Sequence, residues 1–478
     1  MNFNLVTDPW IPVRMSEDGR PETLGLLELF RSAAEISDLS VSTHERISLM
    51  RLLVCITQAA LGAPDEADDW DGWGGDLEEK TTAYLQQWHA HFDLFGDGPR
   101  FLQSRIEDTK DYPTAQIIYD LSTGNNPTLL DHVGDDPRDF PAAFLARAIL
   151  VYQNHFVGGS LASKVKGNGP ALKALHAFLI GDNLRETILH NCIDLETLHP
   201  TTLGKPVWEG GRVGDFLSRL CPSPCKLWFV DEGRRIRIDQ GHIYPEFEES
   251  GIREPSTTII TGKRNGAEAN VLLRASIGRG IWRDLHCLTV LSKDERKAPL
   301  SFLSHFTARH GPEVTFWSGE LIKAKDAKIH DAMESRFTVP WQLFEDVGRI
   351  RYQSGVAFAE HLESRLKAAV FIYGKTIKHE NTPIESARRH YWNTLDHQSR
   401  ILLDLLMGAG TPEDPMGSAT FGEAGDPWTV AVRRAARDAY DAACPRSTPR
   451  QLEAYAAGLK QFTPKSKKSK PATTAASS

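Results

Sequence analysis

The stretch "WQLFEDVGRIRYQSGVAFAEHLESRLKAAVFIYG" (341–374) contains no proline and repeats its apolar residues at helical spacing. A run of that length and period buries its apolar side only as a long helix packed against other helices. Three stretches of the same character follow it: "PIESARRHYWNTLDHQSRILLDLLMGA" (383–409), "DPWTVAVRRAARDAYDAAC" (426–444) and "PRQLEAYAAGLKQF" (449–462). Pro383, Pro427 and Pro449 stand at or near first turns, where a missing N–H costs nothing, and Gly374 and Gly408 stand near ends. Four helices with short connections predict an antiparallel four-helix bundle over 341–462. The remaining residues, 463–478, are basic and of low complexity and are expected to be a disordered tail.

Residues 1–340 read differently, as one large mixed domain, which makes the fold class α+β, predominantly helical. "FNLVTDPWIPVR" predicts a short strand, a turn at Asp8-Pro9 and a second extended piece. "THERISLMRLLVCITQAAL" (43–61) predicts a helix capped by Thr43, with Ile47, Met50, Leu53 and Val54 on one face. Another helix is expected over 139–156, with Pro141 in its first turn. It runs into "NHFVGGSLASKVKGNGP" (154–170), after which "GPALKALHAFLIG" suggests a helix restarting at Pro170. On this reading the glycine stretch joins two helices and lies beside the free amides of the second.

The net charge of −8 is unevenly spread. Residues 1–80 hold 6 Lys/Arg and 16 Asp/Glu, leaving 49 and 47 for the rest, so the acidity is confined to the start. The acidic run 65–79 is read as a solvated loop. No apolar run spans a bilayer, the amino terminus lacks a signal-peptide pattern, and the six scattered cysteines suit a reducing compartment, so a cytoplasmic location is expected. Cys221 and Cys225 lie close, but no second pair completes a zinc site, and no metal or cofactor is expected.

No catalytic signature appears: H-E-x-x-H, G-x-S-x-G and a Walker loop are absent, "GNGPAL" and "SIGRGIW" are incomplete dinucleotide loops, and His305 and His310 are five apart. Binding features are present. No acidic residue lies between 154 and 170, where Gly158, Gly159 and Ser160 precede Lys164 and Lys166. Glycines admit close backbone approach and lysines neutralise phosphate. "RRIRI" (234–238) would put Arg235 and Arg237 on one strand face and Ile236 on the other, and "IKAKDAKIH" (322–330) gathers three lysines.

"FNLVTDPWIPV" (3–13), "TGNNPTLLDH" (123–132), "VGGSLASKVKGNGPALKALHAFLIGDNLRETILHN" (157–191), "GELIKAKDAKIH" (319–330) and "SARRHYWNTLD" (386–396) together resemble, in order, the CasA family, large subunits of the type I-E CRISPR surveillance complex Cascade. The resemblance implies a non-enzymatic DNA-recognition subunit. It would read a short motif flanking the target, the PAM, through the minor groove, while guide RNA reads the target itself. Carried over, Gly158, Gly159 and Ser160 form the glycine loop, with Lys164 and Lys166 on phosphates. Lys325, Asp326 and Ala327 form the wedge that parts the strands, and Asn126 and Leu129 belong to a guide-proximal loop. The implied partners are guide RNA, double-stranded target DNA, the other Cascade subunits and a recruited helicase-nuclease.

Three departures accompany the resemblance. Asp326 stands where the family wedge has glutamine, so Lys325 or Lys328 is an alternative contact. The family's lysine finger, sought between Arg234 and Tyr244, finds arginines but no lysine. The paired cysteines of some relatives are missing. A metal-independent nuclease or hydrolase and a purely structural scaffold remain the competing readings.

Overall fold

The computed structural model describes residues 2–70, 72–107, 109–121, 139–162, 164–292, 295–305, 311–323, 329–378, 382–407, 421–422 and 425–462. Asn126, Leu129, Lys325, Asp326, Ala327, Lys328 and the basic tail at 463–478 lie outside these residues. The chain is a mixture of helix and sheet in two compact units. Unit 1 comprises Met1–Ile277 and Cys287–Trp341, and unit 2 comprises Gly278–His286 and Gln342–Ser478.

In unit 1, Leu5, Val6, Trp10, Ile11 and Val13 of the opening motif are all buried. The expected first strand is reduced to an isolated bridge between Asn4 and Asp93, because residues 5–8 turn back at once. The regular strand begins at Ile11: β1 (Ile11–Met15) pairs antiparallel with β2 (Pro21–Leu24) and β3 (Ile36–Leu39). Helix α1 (Thr43–Leu61) is buried on nearly every side. Its cap is Ser42, not Thr43: Ser42 and Glu45 complete a capping box, and the S-x-x-E spacing starts one residue earlier than expected. Because α1 is surrounded, its charged residues need internal partners. Arg46 finds Asp38 at 2.6 Å.

The acidic run 65–79 is not simply a solvated loop: it forms a helical turn at Ala67–Trp70, its Trp70 indole donates to the Ser304 carbonyl (3.1 Å), and its last three residues open helix α2 (Leu77–Gln87), with Leu77 buried. Helix α3 (Ala142–His155) starts just after Pro141. Two further three-stranded sheets have the orders β4-β7-β6 (Asp111–Pro113, Arg235–Gln240, Cys225–Val230) and β11-β10-β5 (Ile329–Pro340, Glu313–Lys323, His176–Leu179). β8 (Ile259–Arg264) and β9 (Ala267–Leu272) form a hairpin.

Unit 2 is built on α4 (Asp346–Ile377), whose Tyr352, Val356, Ala359, Leu366, Ala369, Val370 and Tyr373 form a buried stripe at helical spacing. Against it pack α5 (Ile384–Asp396), α6 (Pro427–Ala443) and α7 (Pro449–Leu459). Pro427 and Pro449 occupy first-turn positions behind the side-chain caps Asp426 and Thr448. Gly374 stands in the last turn of α4, near its end as expected. The helix runs on to Ile377, and Lys378 takes the left-handed conformation (φ +57°). The stretch 383–409 is not one helix, since α5 stops at Asp396 and a short helix resumes at Arg400–Asp404.

The segment Gly278–His286, which a single boundary at 340 assigns to the first domain, packs in unit 2. Trp282 stands edge-on to Trp428 at 5.8 Å, its indole donates to Asp396 (2.6 Å), and its carbonyl accepts from Tyr352 (2.7 Å). Arg283 lies 3.6 Å over the Trp392 ring and pairs with Glu360 at 2.7 Å.

Candidate nucleic-acid interface

The glycine stretch is not a helix-to-helix connection. After α3 the chain closes a tight loop, turns over 170–174 and enters strand β5 at His176. The sequence "ALKALHAFLI" satisfies a helical period, but Lys173 sits at φ +68° and residues 176–179 pair with β10, so tertiary pairing overrides the local pattern. The loop is closed by a Val157–Asn168 bridge and by Gly169 N–H donating to the Phe156 carbonyl (2.8 Å). A Cβ on Gly158 would lie 2.2 Å from the Gly167 carbonyl oxygen, and one on Gly169 2.2 Å from that of Asn154. Both limbs therefore approach more closely than any side chain allows.

The second helix does not form, and the amides expected to be free at its start are bonded, Ala171 N–H to Asn154 (3.0 Å) and Leu172 N–H to Gly169 (3.1 Å). The loop's own amides are spent as well. Gly159 N–H donates to Val165 (2.8 Å) and Ser160 N–H to Val157 (3.1 Å), while Gly158 N–H faces the Asn168 side chain at 3.4 Å. What remains outward is the exposed apex, Gly159 (φ +77°, with open space around it) and Ser160. Exposed Lys164 pairs with Asp239 at 3.0 Å, and that bond, with the Gln240 amide, holds the Asp239 carboxyl below the usual range. Lys166 is exposed, and its backbone is clipped at both ends by the Gln240 amide (2.8 and 3.3 Å).

The region searched for the lysine finger therefore braces the loop from behind. As expected, β7 buries Ile236 and Ile238 while Arg235 is exposed, but Arg234 is held by Asp139 (2.6 Å) and Arg237 by Asp111 (2.8 Å). An exposed lysine occurs elsewhere, at Lys263 near the tip of the β8–β9 hairpin. Its turn residues Asn265 and Gly266 both have positive φ (+52° and +85°), the backbone that an Asn-Gly pair favours in a two-residue hairpin turn. "KRNGAE" carries that signal in the sequence, outside the window between Arg234 and Tyr244.

Three projecting features share one end of a sheet. β5 pairs antiparallel with β10, His176 opposite Gly319 and Leu179 opposite Phe316. On the other side of β5, Ala177 N–H donates to Ser256, His176 bridges Thr257, and Leu175 N–H donates to Leu273 (both bonds 2.8 Å). The β8–β9 hairpin and the β10 limb that leads to 324–328 thus leave His176 in the same sense. The glycine loop arrives at that same end.

His176 is fully buried and bonded on both ring nitrogens. Burial and then the Arg51 charge push its pKa down to about 4. The neutral ring donates from Nε2 to the Ala171 carbonyl (2.9 Å) and accepts at Nδ1 from Ser256 Oγ (2.7 Å). It therefore ties the end of the glycine loop to the root of the β8–β9 hairpin.

Among the described residues no His/Cys/Asp/Glu group is arranged to hold a metal. Cys221 and Cys225 are buried, and burial pushes the Cys225 thiol pKa up, so it packs as a small apolar group. No described helix is long and apolar enough to cross a membrane.

A family model described as CRISPR-associated protein Cse1 matches residues 4–439. CasA/Cse1 of Thermus thermophilus is 27% identical over 395 residues, 76% of each chain. A solved structure of Thermus thermophilus CasA superposes with a TM-score of 0.76 at 22% identity, covering 97% of this chain and 99% of that one. A chain of a solved CRISPR RNA-guided surveillance complex does so with a TM-score of 0.73 at 18% identity, covering 96% and 99%.

Proposed function

The chain belongs to the CRISPR-associated protein Cse1 family, and on that premise we propose that it is the DNA-recognition subunit of a type I-E CRISPR RNA-guided surveillance complex. It performs no chemistry of its own. It reads the PAM from the minor groove, where the donor and acceptor pattern is degenerate and several motifs are tolerated. The observation that carries this reading is the convergence at His176: the glycine loop, the β8–β9 hairpin and the limb of the β10–β11 hairpin all lie at one end of one sheet.

In this reading Gly159 and Ser160 form the apex that meets the groove without side-chain bulk, and Gly158 allows the loop to close behind them. Lys164 and Lys166 neutralise phosphates. Lys263 takes the place of the lysine finger that is missing between Arg234 and Tyr244. Lys325, Asp326 and Ala327, between β10 and β11 in sequence, form the wedge, and Asn126 and Leu129 lie near the guide. Guide RNA, target duplex, the other Cascade subunits and a helicase-nuclease recruited after strand opening are its partners, and unit 2 supports contacts to those subunits.

The test uses the assembled complex carrying Ser160→Trp or Lys263→Ala, residues whose side chains are exposed in this chain. Both variants are expected to assemble normally and to lose affinity for PAM-bearing duplex. Unchanged PAM-dependent binding by both would sink the reading and favour a structural scaffold, whereas DNA cleavage by the purified chain alone would favour a nuclease. Lys325→Ala and Asp326→Ala are expected to weaken strand opening more than initial duplex binding.

A further inference from the structure

Beneath the loops of unit 1 lies a buried charge cluster that touches none of the proposed DNA contacts. Arg51 of α1 has a fully buried side chain, and its Nη2 meets Glu254 Oε2 at 2.7 Å. Its Nε donates to Asn154 Oδ1 (2.7 Å), and Nη2 also reaches the Arg219 carbonyl. Arg219, on the short helix Phe216–Leu220, donates twice to Glu254 Oε1 (2.9 and 2.6 Å). One carboxylate thus serves two guanidiniums, and a net positive charge is left in the interior.

The partners of this cluster are the roots of two loops. Asn154 opens the glycine stretch, and its carbonyl accepts from Ala171 at the far end of that stretch (3.0 Å). Glu254 opens the hairpin root: its carbonyl accepts from the Thr257 N–H (3.2 Å) and hydroxyl (2.8 Å). His176 makes the second tie, from Ala171 to Ser256.

Stability alone is a poor account of this arrangement. Buried ion triads are commonly matched or exceeded in stability by apolar side chains of similar volume. Here Arg51 Nη1, Arg219 Nη1 and Glu254 Oε2 are buried without a hydrogen-bond partner, Oε2 having only the ionic contact with Arg51, a further cost. Directional bonds from one rigid cluster to two loop roots do something apolar packing does not, which is to hold the loops at a set separation and angle.

We infer that the Arg51–Glu254–Arg219 cluster, acting through Asn154 and joined by His176, is a positioning device that sets the glycine loop and the β8–β9 hairpin relative to one another. Its consequence for PAM selectivity rests on the function proposed above, but the positioning itself does not.

The test is a distance measurement in the full chain by pulsed electron spin resonance. Nitroxide labels are placed at Ser160→Cys and Glu268→Cys, both exposed positions, with Cys287→Ser removing the one cysteine that is not buried. The parent protein is expected to give one narrow distance distribution. The triple variant Arg51→Met/Glu254→Leu/Arg219→Met, which removes the charges while filling the space, is expected to keep its circular dichroism and to broaden that distribution. Asn154→Ala leaves the ion triad whole, removes the Arg51 Nε bond to the root of the glycine loop together with the Asn154 side-chain bond to the Leu150 carbonyl, and is expected to broaden it as well.

Unlabelled complexes with either change are expected to lose about tenfold in the ratio of PAM to non-PAM affinity, the scale of coupling through packed networks. An unchanged distance distribution in both folded variants overturns the inference. Broadened distances with unchanged PAM selectivity uphold the positioning role and contradict the functional reading instead.

Discussion

The two units each use an arginine–glutamate pair at 2.7 Å to tie distant segments together, yet the pairs differ in surroundings. In unit 1, Arg51 and Glu254 are 0% and 3% exposed, and in unit 2 Arg283 and Glu360 are 8% and 41% exposed. At Glu254 burial pushes the carboxyl pKa up, but Arg219 and Arg51 outweigh it and hold the group ionised below its usual range. Glu360 keeps much of its hydration, and the face of Trp392 shares in stabilising the Arg283 cation. Equal contact distances therefore do not mean equal energies. The medium decides, and only the unit 1 pair has no solvent to fall back on.

The largest effect that can break this comparison is a pair of truncations. Glu254→Ala leaves two buried guanidiniums uncompensated and is expected to cost about 3–5 kcal/mol in denaturant unfolding. Glu360→Ala is expected to cost less, about 1–2 kcal/mol: its carboxylate is 41% exposed and Arg279 keeps Asp284, while the buried Arg283 loses its ion pair but keeps the Trp392 face. Equal losses would mean that burial is not what separates the units.

Acid is the next probe. His176 has a folded pKa of about 4 against an ordinary 6.5, so the unfolded chain takes up its proton first. The stability linked to this group is whole above about pH 6.5, falls as the pH drops towards about 4, and levels below that. His155, also buried and pushed down, acts in the same direction. Unfolding midpoints measured across that window are expected to fall in the parent and to fall less in His176→Gln. Equal slopes would assign the loss to other groups.

Two glycines sharpen the contrast within unit 1. Gly158→Ala forces a Cβ against the Gly167 carbonyl and is expected to destabilise by about 1–3 kcal/mol, as overpacking does. Gly159→Ala meets only open space and is expected to cost about 1 kcal/mol, for its positive φ. Thermal melts of the two variants order them, and a reversed order would contradict the loop geometry. The smallest effect is at Lys164, whose exposed pair with Asp239 makes Lys164→Ala worth less than about 0.5 kcal/mol in stability. If Lys164 meets a phosphate, the slope of log affinity against log salt for DNA binding is expected to shrink by about 1.

Legibility follows the same divide. In unit 2 a proline-free apolar stripe reports α4 directly, and prolines report the starts of α6 and α7, because those signals are local. The end of α4 is local as well: Gly374 stands in its last turn, and the left-handed Lys378 closes the helix. In unit 1 the glycine stretch is visible in sequence, but the strand after it is not. His176–Leu179 becomes extended only because β10, more than a hundred residues away, offers a ladder. The Arg51 cluster is invisible for the same reason, its members lying on three distant segments. Lys263 is legible from its Asn-Gly turn, whereas a search among the arginines of 234–244 meets Arg234 and Arg237, whose charges are already paired.

Site-specific photocross-linking tests the central claim most directly. A cross-linking residue is placed at Ser160, at Lys263 or, as the unit 2 reference, at the exposed Arg434, and the assembled complex is irradiated on PAM-bearing duplex. Ser160 and Lys263 are both expected to cross-link within the PAM, and Arg434 is expected not to. Cross-links from Ser160 and Lys263 that fall outside the PAM, or that persist unchanged when the PAM is scrambled, would contradict the claim.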